Sequence, residues 1–281
     1  MLVPFLIMLR EGLEAALIVG IIASYLRHTG RGAWMPAVWI GIFLAAALAL
    51  ATGAGLQFAS AAFPQRQQEL FEAFVGLIAV GVLTWMVFWM RRAARNMRRT
   101  LTGALEDAFT GRRHTLALIG MVFLAVAREG LESVFFLLAV FQQSTDRSAP
   151  LGALLGIVTS VAVGLALYRG SLRLDLAHFF RLTGVFMLLV AAGLLAGSVR
   201  ALHEAGWWNH AQQRVFDLNE WLPLDSPLGA ILSGILGYQP APTLGEAVVY
   251  GGYLLVTLGI FFQRARRSSP AAHRASHGEP S

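Results

Sequence analysis

Seven stretches of the chain are apolar over about 20 residues, the length that a helix needs to cross the roughly 30 Å hydrocarbon core of a bilayer. Hydrophobic residues make up 56% of the 281 positions and charged residues 14%, with a mean hydropathy of +0.61. Soluble domains carry about a quarter charged residues. The pattern predicts an all-α polytopic membrane protein with seven transmembrane helices. The predicted spans are about 2–25, 34–60, 70–90, 115–141, 150–168, 178–199 and 244–262, within a transmembrane domain at 1–263.

The arginines predict the orientation of these helices. All 22 basic residues are Arg, and with the N-terminus in the periplasm sixteen of them fall on the cytoplasmic side. Only four lie on the outer side. An excess of arginine in the cytoplasmic loops is expected of membrane proteins. The C-terminus is then cytoplasmic, and the net charge of +6 needs no nucleic-acid partner. The polar tail at 264–281 is predicted to be disordered, with its basic start held near anionic membrane lipid.

The sequence Arg-Glu-Gly-Leu-Glu occurs twice, at 10–14 and at 128–132, each time inside an apolar span. We call these segments the first and second pentads. The longer segments 5–14 and 123–132 match at seven of ten positions. The predicted topology makes the first and fourth helices antiparallel, so helices 1–3 and 4–6 are predicted to form an inverted repeat, with helix 7 added. In transporters of this kind the site lies near the midplane, between the repeats.

The charged residues of each pentad share one side of a helix. At 100° per residue, Glu11 and Glu14 lie about 60° apart and Arg10 about 40° from Glu14. Each charge at the bilayer centre costs at least about 2.5–3.5 kcal/mol. Six such charges are therefore expected to serve one shared function. Facing pentads with only oxygen donors suit hard cations such as Fe³⁺, Mn²⁺, Ca²⁺ or Mg²⁺. The predicted metal ligands are Glu11, Glu14, Glu129 and Glu132, with Arg10 and Arg128 as supporting ion pairs that keep them ionised and oriented.

The pentads could serve a transporter or channel for any of these hard cations, such as Mn²⁺, and a structural interpretation also remains open at this point. The ion pairs could join two helices of a structural membrane scaffold. A diiron carboxylate enzyme is disfavoured, because its Glu-x-x-His pairs require a histidine that neither pentad has. The absence of cysteine excludes disulfides and thiolate metal sites. Beside the first pentad, the small residues Gly12, Ala16 and Gly20 predict close helix packing.

Two further groups of residues are candidates for a metal route outside the membrane. The segment "QELFE" holds Glu69 and Glu72 at the predicted outer mouth of helix 3, where they could admit the cation or simply begin a solvated helix. The segment "HEAGWWNH" holds His203, Glu204 and His210, and its spacing does not match a zinc peptidase. A metal-docking role competes here with an ordinary tryptophan belt at the membrane interface.

The end of helix 3 combines aromatic residues with a basic run, "LTWMVFWMRRAARNMRR". This composition is typical of an anchor at the membrane interface with arginines on the cytoplasmic side. The same run could suggest nucleic-acid binding, but the anchor explains it fully. Met86 is expected to serve packing rather than a copper pathway.

With these motifs the chain resembles the oxidase-dependent iron transporters, which carry R-E-x-x-E motifs and include fungal high-affinity iron permeases. The similarity to bacterial members covers nearly the whole chain, including "VPFLIMLREGLEAALIV", "QELFE", "LTWMVFWMR", "AVAREGLESVFFLLA" and "HEAGWWNH".

The resemblance implies an iron permease of the bacterial inner membrane rather than an enzyme. Iron would be its transported substrate, with no permanently bound cofactor. It also implies that the four pentad glutamates bind iron in transit. The implied partners are a periplasmic iron-binding protein and a haem peroxidase-like protein.

Overall fold

The computed structural model describes residues 1–61, 64–110, 114–143, 148–170, 176–224, 226, 228–229, 232–233 and 237–267. Regular structure in these residues is helical, apart from an isolated antiparallel bridge between Arg214 and Thr243. The predicted all-α fold class is thereby confirmed. The helices are α1 Leu2–His28, α2 Met35–Ala61, α3 Gln65–Thr110, α4 His114–Gln143, α5 Ala149–Tyr168, α6 Leu176–Glu204 and α7 Leu244–Arg267, with a 3₁₀ turn at Gly32–Trp34.

The outer surface of the helices is suited to lipid. Helices α2, α3, α5, α6 and α7 are long and apolar enough to cross a membrane. Helices α1 and α4 carry the three charges of a pentad in their middle. Large apolar side chains are exposed on several helices, among them Phe43, Leu50, Phe58, Val158 and Leu255. A soluble monomer rarely exposes so much apolar surface. The chain is a multi-pass membrane protein, and the count of seven spans stays a prediction.

Helix α3 is much longer than predicted, since it runs over Gln65–Thr110 rather than about 70–90. The prediction followed hydropathy and ended where the arginines begin. The segment beyond is rich in Arg, Ala and Leu, which all favour helix. Its far end packs back onto the bundle, where Leu105 is buried beside Ile22 and Leu118.

The other helix bounds lie close to the predicted spans. Helix α7 continues to Arg267, so the first residues of the predicted tail at 264–281 are helical rather than disordered. The rest of that tail, from 268 on, lies outside the described residues.

Helices α1 and α5 pack closely side by side. Residue numbers rise together on both helices, so they run in the same direction. The predicted small-residue stripe is confirmed at Gly12 and Ala16 but not at Gly20, where an added side chain would meet nothing within 4 Å. The close contacts are Met1 with Gly152, Phe5 with Gly156, Gly12 with Ser160 and Ala16 with Gly164.

Helices α2 and α4 form a second parallel pair. Here the small residues lie mainly on α2, which explains why α4 needs no small-residue stripe after its own pentad glycine. The contacts are Gly41 with Val122, Ala49 with Gly130 and Gly53 with Val134.

Helices α3 and α7 both run antiparallel to α6. Serine and glycine positions allow the close approach on each side of α6. The contacts are Gly76 with Ser198, Val87 with Gly184, Val199 with Gly245 and Phe261 with Gly184.

Two apolar clusters form the core and leave a charged layer between them. The first cluster contains Val3 and Ile7 of α1 and Phe136 of α4. The second contains Ile18 of α1 and Val122 of α4. Both pentads lie between these positions on their helices. The fold therefore encloses the pentad charges between two apolar layers.

The tight contact between α1 and α5 yields a test of this packing. A side chain at Gly156 would begin 2.5 Å from the Phe5 carbonyl oxygen and 2.8 Å from Met8 Cβ. We expect Gly156→Val to force α1 away from α5 and to destabilise the protein by about 1–3 kcal/mol. Thermal unfolding in detergent measures the effect. The control is Gly55→Val, because an added side chain at Gly55 meets nothing within 4 Å. Equal melting temperatures for the two variants would contradict the packing.

Candidate metal centre

The two pentads meet where α1 packs against α4. Arg10, Glu11 and Glu14 of α1 are 1%, 1% and 4% exposed, and Glu129 of α4 is 5% exposed. Burial of this degree is rare for charged side chains unless they are paired. The charges are therefore part of the core rather than of the lipid-facing surface.

Three of the four predicted ligands converge on one point. One carboxylate oxygen from each of Glu11, Glu14 and Glu129 lies within 4.8 Å of the others. We call these three residues the acidic triad. Within the described part of the chain, Glu11 Oε2 and Glu129 Oε2 are buried and accept no hydrogen bond. Buried carboxylate oxygens normally have a donor or a cation, so the triad has the donor set of a metal site.

Arg10 is the counter-ion of the triad. Its Nη1 donates to Glu11 Oε1 at 2.5 Å, and its Nη2 lies 3.0 Å from Glu14 Oε1. The same Nη1 lies 3.5 Å from the sulfur of Met86 on α3. These contacts fix the first pentad in one conformation and bring a third helix to the site.

Arg128 is placed differently from Arg10, although the two pentads have the same sequence. Its Nε lies 3.0 Å from Glu132 Oε1, the residue one turn away. Its guanidinium also lies 4.4 Å from the ring centre of Trp89 and 5.9 Å from that of Trp85. Arg128 thus pairs with Glu132 and not with Glu129, which leaves Glu129 to the triad.

The predicted fourth ligand, Glu132, lies outside the group of converging oxygens. Its side chain is 11% exposed, against 5% for Glu14. Its Oε2 is buried and accepts no hydrogen bond from the residues that the structure describes. Glu132 therefore has one oxygen held by Arg128 and one available beside the triad.

The charge balance of the site favours a divalent cation. With its carboxylates ionised, the triad and Arg10 sum to −2, three negative charges less one positive. Uncompensated charge in a dry interior is costly. A hard divalent cation would neutralise this sum and satisfy the carboxylate oxygens.

The predicted outer residues are only partly brought together. His203 and Glu204 line one cavity of about 360 Å³, together with Arg200 and Glu246. The Arg200 guanidinium lies 2.8 Å from Glu246, so this cavity already contains an ion pair. His210 is exposed and does not line this cavity.

The other two predicted outer residues lie on the first turns of α3. Glu69 accepts a long hydrogen bond of 3.3 Å from Gln65, as expected of a solvated helix start. Glu72 is half-buried and interacts electrostatically with Glu204 and Glu69. A role in cation entry is therefore better founded for Glu72 than for Glu69.

Sequence reasoning missed the support that α3 gives to both arginines. Trp85 and Trp89 stack at 5.5 Å and contact Arg128, in addition to any role at the membrane interface. Met86 is buried as expected for packing, but it also contacts Arg10. The four-residue spacing of the two tryptophans could have indicated a shared face, although nothing in the sequence identified Arg128 as its partner.

The fold and the triad define a class, namely a helical membrane protein with a buried cluster of three carboxylates. The chain belongs to the Iron permease FTR1 family, whose profile matches residues 1–267. It is therefore an iron transporter and not an enzyme, with iron as its cargo, as the family resemblance implied.

Several relatives agree over almost the full length of the chain. The chain is 53% identical to the ferrous iron permease EfeU of Yersinia pestis over 277 residues, 98% of each protein. It is 53% identical to EfeU of Escherichia coli O157:H7 over 276 residues, 98% of this chain and 100% of that protein. Identity to EfeU of Yersinia pseudotuberculosis is 54% over 275 residues, 98% and 96% of the two chains. No solved structure matches the chain significantly.

The different placement of the two arginines predicts different costs of removing them. Arg10→Met would leave three buried carboxylates without their counter-ion, and breaking a buried pair costs about 3–5 kcal/mol. Arg128→Met should cost less, because Arg128 is 37% exposed. The measurement is thermal unfolding in detergent with a chelator present.

Addition of Mn²⁺ distinguishes the effect of the lost positive charge on stability from the effect of the lost packing. It should restore part of the stability of Arg10→Met, because the cation supplies the missing positive charge. Equal destabilisation by both substitutions, without any effect of Mn²⁺, would contradict the proposed role of Arg10.

Proposed function

We propose that the protein imports ferrous iron across the bacterial inner membrane through the acidic triad, with Glu132 as an accessory ligand. The observation that carries this proposal is the convergence of three buried carboxylates from two antiparallel helices. The ferrous state is taken from the names of the relatives, which are ferrous iron permeases. Oxygen donors also accept Mn²⁺ and other hard cations, so the family supplies the preference for iron.

A midplane position of the site is supported by the neighbouring apolar helices. Gly12 of the first pentad packs on Ser160, near the middle of the apolar span Ala149–Tyr168. Gly130 of the second pentad packs on Ala49, inside the apolar span Gly32–Ala59. At about 1.5 Å per residue, Ser160 is about 12 Å from the nearer end of its span.

An inverted repeat of α1–α3 and α4–α6 is supported by the same contacts. The first pentad helix packs in parallel on the second helix of the other half, α5. The second pentad helix packs in parallel on the second helix of the first half, α2. In both cases the pentad glycine is at the contact. Seven spans that alternate in direction agree with these pairings, and the seventh, α7, lies outside the repeat.

Cations at one end of the bundle support a cytoplasmic position for that end. Arg27 lies 5.2 Å from the ring centre of Tyr168, and Arg31 lies 4.3 Å from that of Phe109. The long connection between α6 and α7 lies at the other end. This agrees with a periplasmic N-terminus and a cytoplasmic C-terminus.

The transport route follows from this orientation. Iron enters from the periplasm past Glu72 and binds the triad, which Arg10 holds ionised and oriented. It leaves inward as the two repeats move relative to each other. A periplasmic iron-binding protein and a haem peroxidase-like protein are the proposed donors at the outer mouth, and membrane lipid surrounds the bundle.

Neutral substitutions in the triad test this function. Glu14→Gln and Glu129→Gln preserve side-chain volume but remove a charged ligand each. We expect the initial rate of iron uptake into proteoliposomes to fall at least tenfold, since even indirect changes at metal sites cost about 10–100-fold. The control is Glu106→Gln, an exposed acid on the long helix α3.

Membrane insertion should be unchanged, and the melting temperature of Glu14→Gln should fall less than that of Arg10→Met, because Glu11 still pairs with Arg10. Uptake by both triad variants at the full rate would refute the triad as the iron site. That result would favour a structural role for the pentads. Faster uptake of Mn²⁺ than of Fe²⁺ by the unchanged protein would instead overturn the choice of iron.

A further inference from the structure

A cavity of about 510 Å³ lies between α1, α5 and the far part of α3. On α1 it begins at Ala16, two residues after Glu14, and ends at His28. Thr102 contributes from α3 and Tyr168 from the end of α5. The cavity therefore extends along α1 from within one turn of Glu14 to one end of the bundle.

Three of the α1 residues that line the cavity continue the charged face of that helix. Leu17, Ile21 and His28 line the cavity and follow Glu14 by three, seven and fourteen residues. At 100° per residue, all three lie within about 60° of Glu14 around the helix. Fourteen residues correspond to about 21 Å along the helix axis, which is enough to lead from the middle of a bilayer to its surface.

The lining changes from apolar to polar along this path. Leu17 and Ile21 line the part of the cavity that is nearer to Glu14 along α1, whereas Ser24, Thr102 and His28 lie further along. His28 Nδ1 lies 2.8 Å from the Ser24 carbonyl oxygen. Because a carbonyl can only accept, Nδ1 carries the proton and Nε2 of a neutral ring keeps its lone pair for a cation.

A second cavity lies at the opposite end of the bundle, around His203 and Glu204. Along the axis of the bundle, the triad lies between the two cavities. Helix α5 touches α1 closely at Gly164 and Ala16, just where the larger cavity begins. This close contact therefore lies at the end of the larger cavity that is nearer to Glu14 along α1.

We infer that the larger cavity is the inner vestibule of the transport route. A divalent cation leaves the triad past Leu17, which separates the two, and reaches the cytoplasm beside His28. This inference rests on the proposed function and deepens it, because it assigns the exit path and its apolar gate.

Filling the cavity tests the inference without disturbing the fold. A side chain at Gly20 would project into the cavity and meet nothing within 4 Å. We expect Gly20→Leu to lower the initial rate of Fe²⁺ uptake by at least about tenfold, a barrier change of ~1.4 kcal/mol, with an unchanged melting temperature. The matched control is Gly81→Leu on the exposed side of α3, which likewise meets nothing within 4 Å.

Thiol labelling provides a second test, because the chain contains no cysteine. Ser24→Cys should react with a charged methanethiosulfonate added from the cytoplasmic side of oriented vesicles, and the reaction should block Fe²⁺ uptake. Val158→Cys, on the lipid-facing side of α5, should not react. Reaction of Ser24→Cys from the periplasmic side alone, or none at all, would overturn the vestibule.

The two proposals fail in distinguishable ways. If Gly20→Leu and the unchanged protein carry Fe²⁺ equally fast, the vestibule is wrong and the transport function stands. If the unchanged protein carries no Fe²⁺ although Ser24→Cys is labelled from the cytoplasmic side, the proposed function is wrong.

Discussion

The contact of Arg10 with Glu11 and Glu14 is the interaction on which the rest of the structure depends. Three charged groups buried in an apolar core cannot remain apart, because each is costly there without a partner. The guanidinium lies 2.5 Å from one carboxylate and 3.0 Å from the other, and it reaches α3 through Met86. Arg10 thereby makes the burial of the triad compatible with folding, while leaving a net negative charge for a cation.

The two pentads have the same sequence but make different contacts. Arg10 lies inside the core and pairs with both of its glutamates, whereas Arg128 pairs with Glu132 and packs on two tryptophans of α3. Glu129 is therefore not the ion-pair partner of Arg128 and is the third member of the triad. The asymmetry also limits the negative charge at the triad, because the fourth carboxylate, that of Glu132, is paired with Arg128.

Much of the fold could be predicted from hydropathy, because the length of a bilayer-spanning helix is set by the membrane. Pentad spacing likewise predicted which side chains share a helix face. The sequence could not indicate that α3 would continue to Thr110, since hydropathy carries no signal for a polar helix held by packing. Nor could it distinguish Glu132 from the triad, because that difference comes from the tryptophans of another helix.

The most direct measurement is anomalous X-ray diffraction at the iron edge from crystals grown in lipid with Fe²⁺. The account predicts one strong peak within bonding distance of carboxylate oxygens of Glu11, Glu14 and Glu129. The peak should vanish in the Glu14→Gln variant while the helices keep their positions. A peak beside His203 and Glu204, with none between the three glutamates, would contradict the central claim.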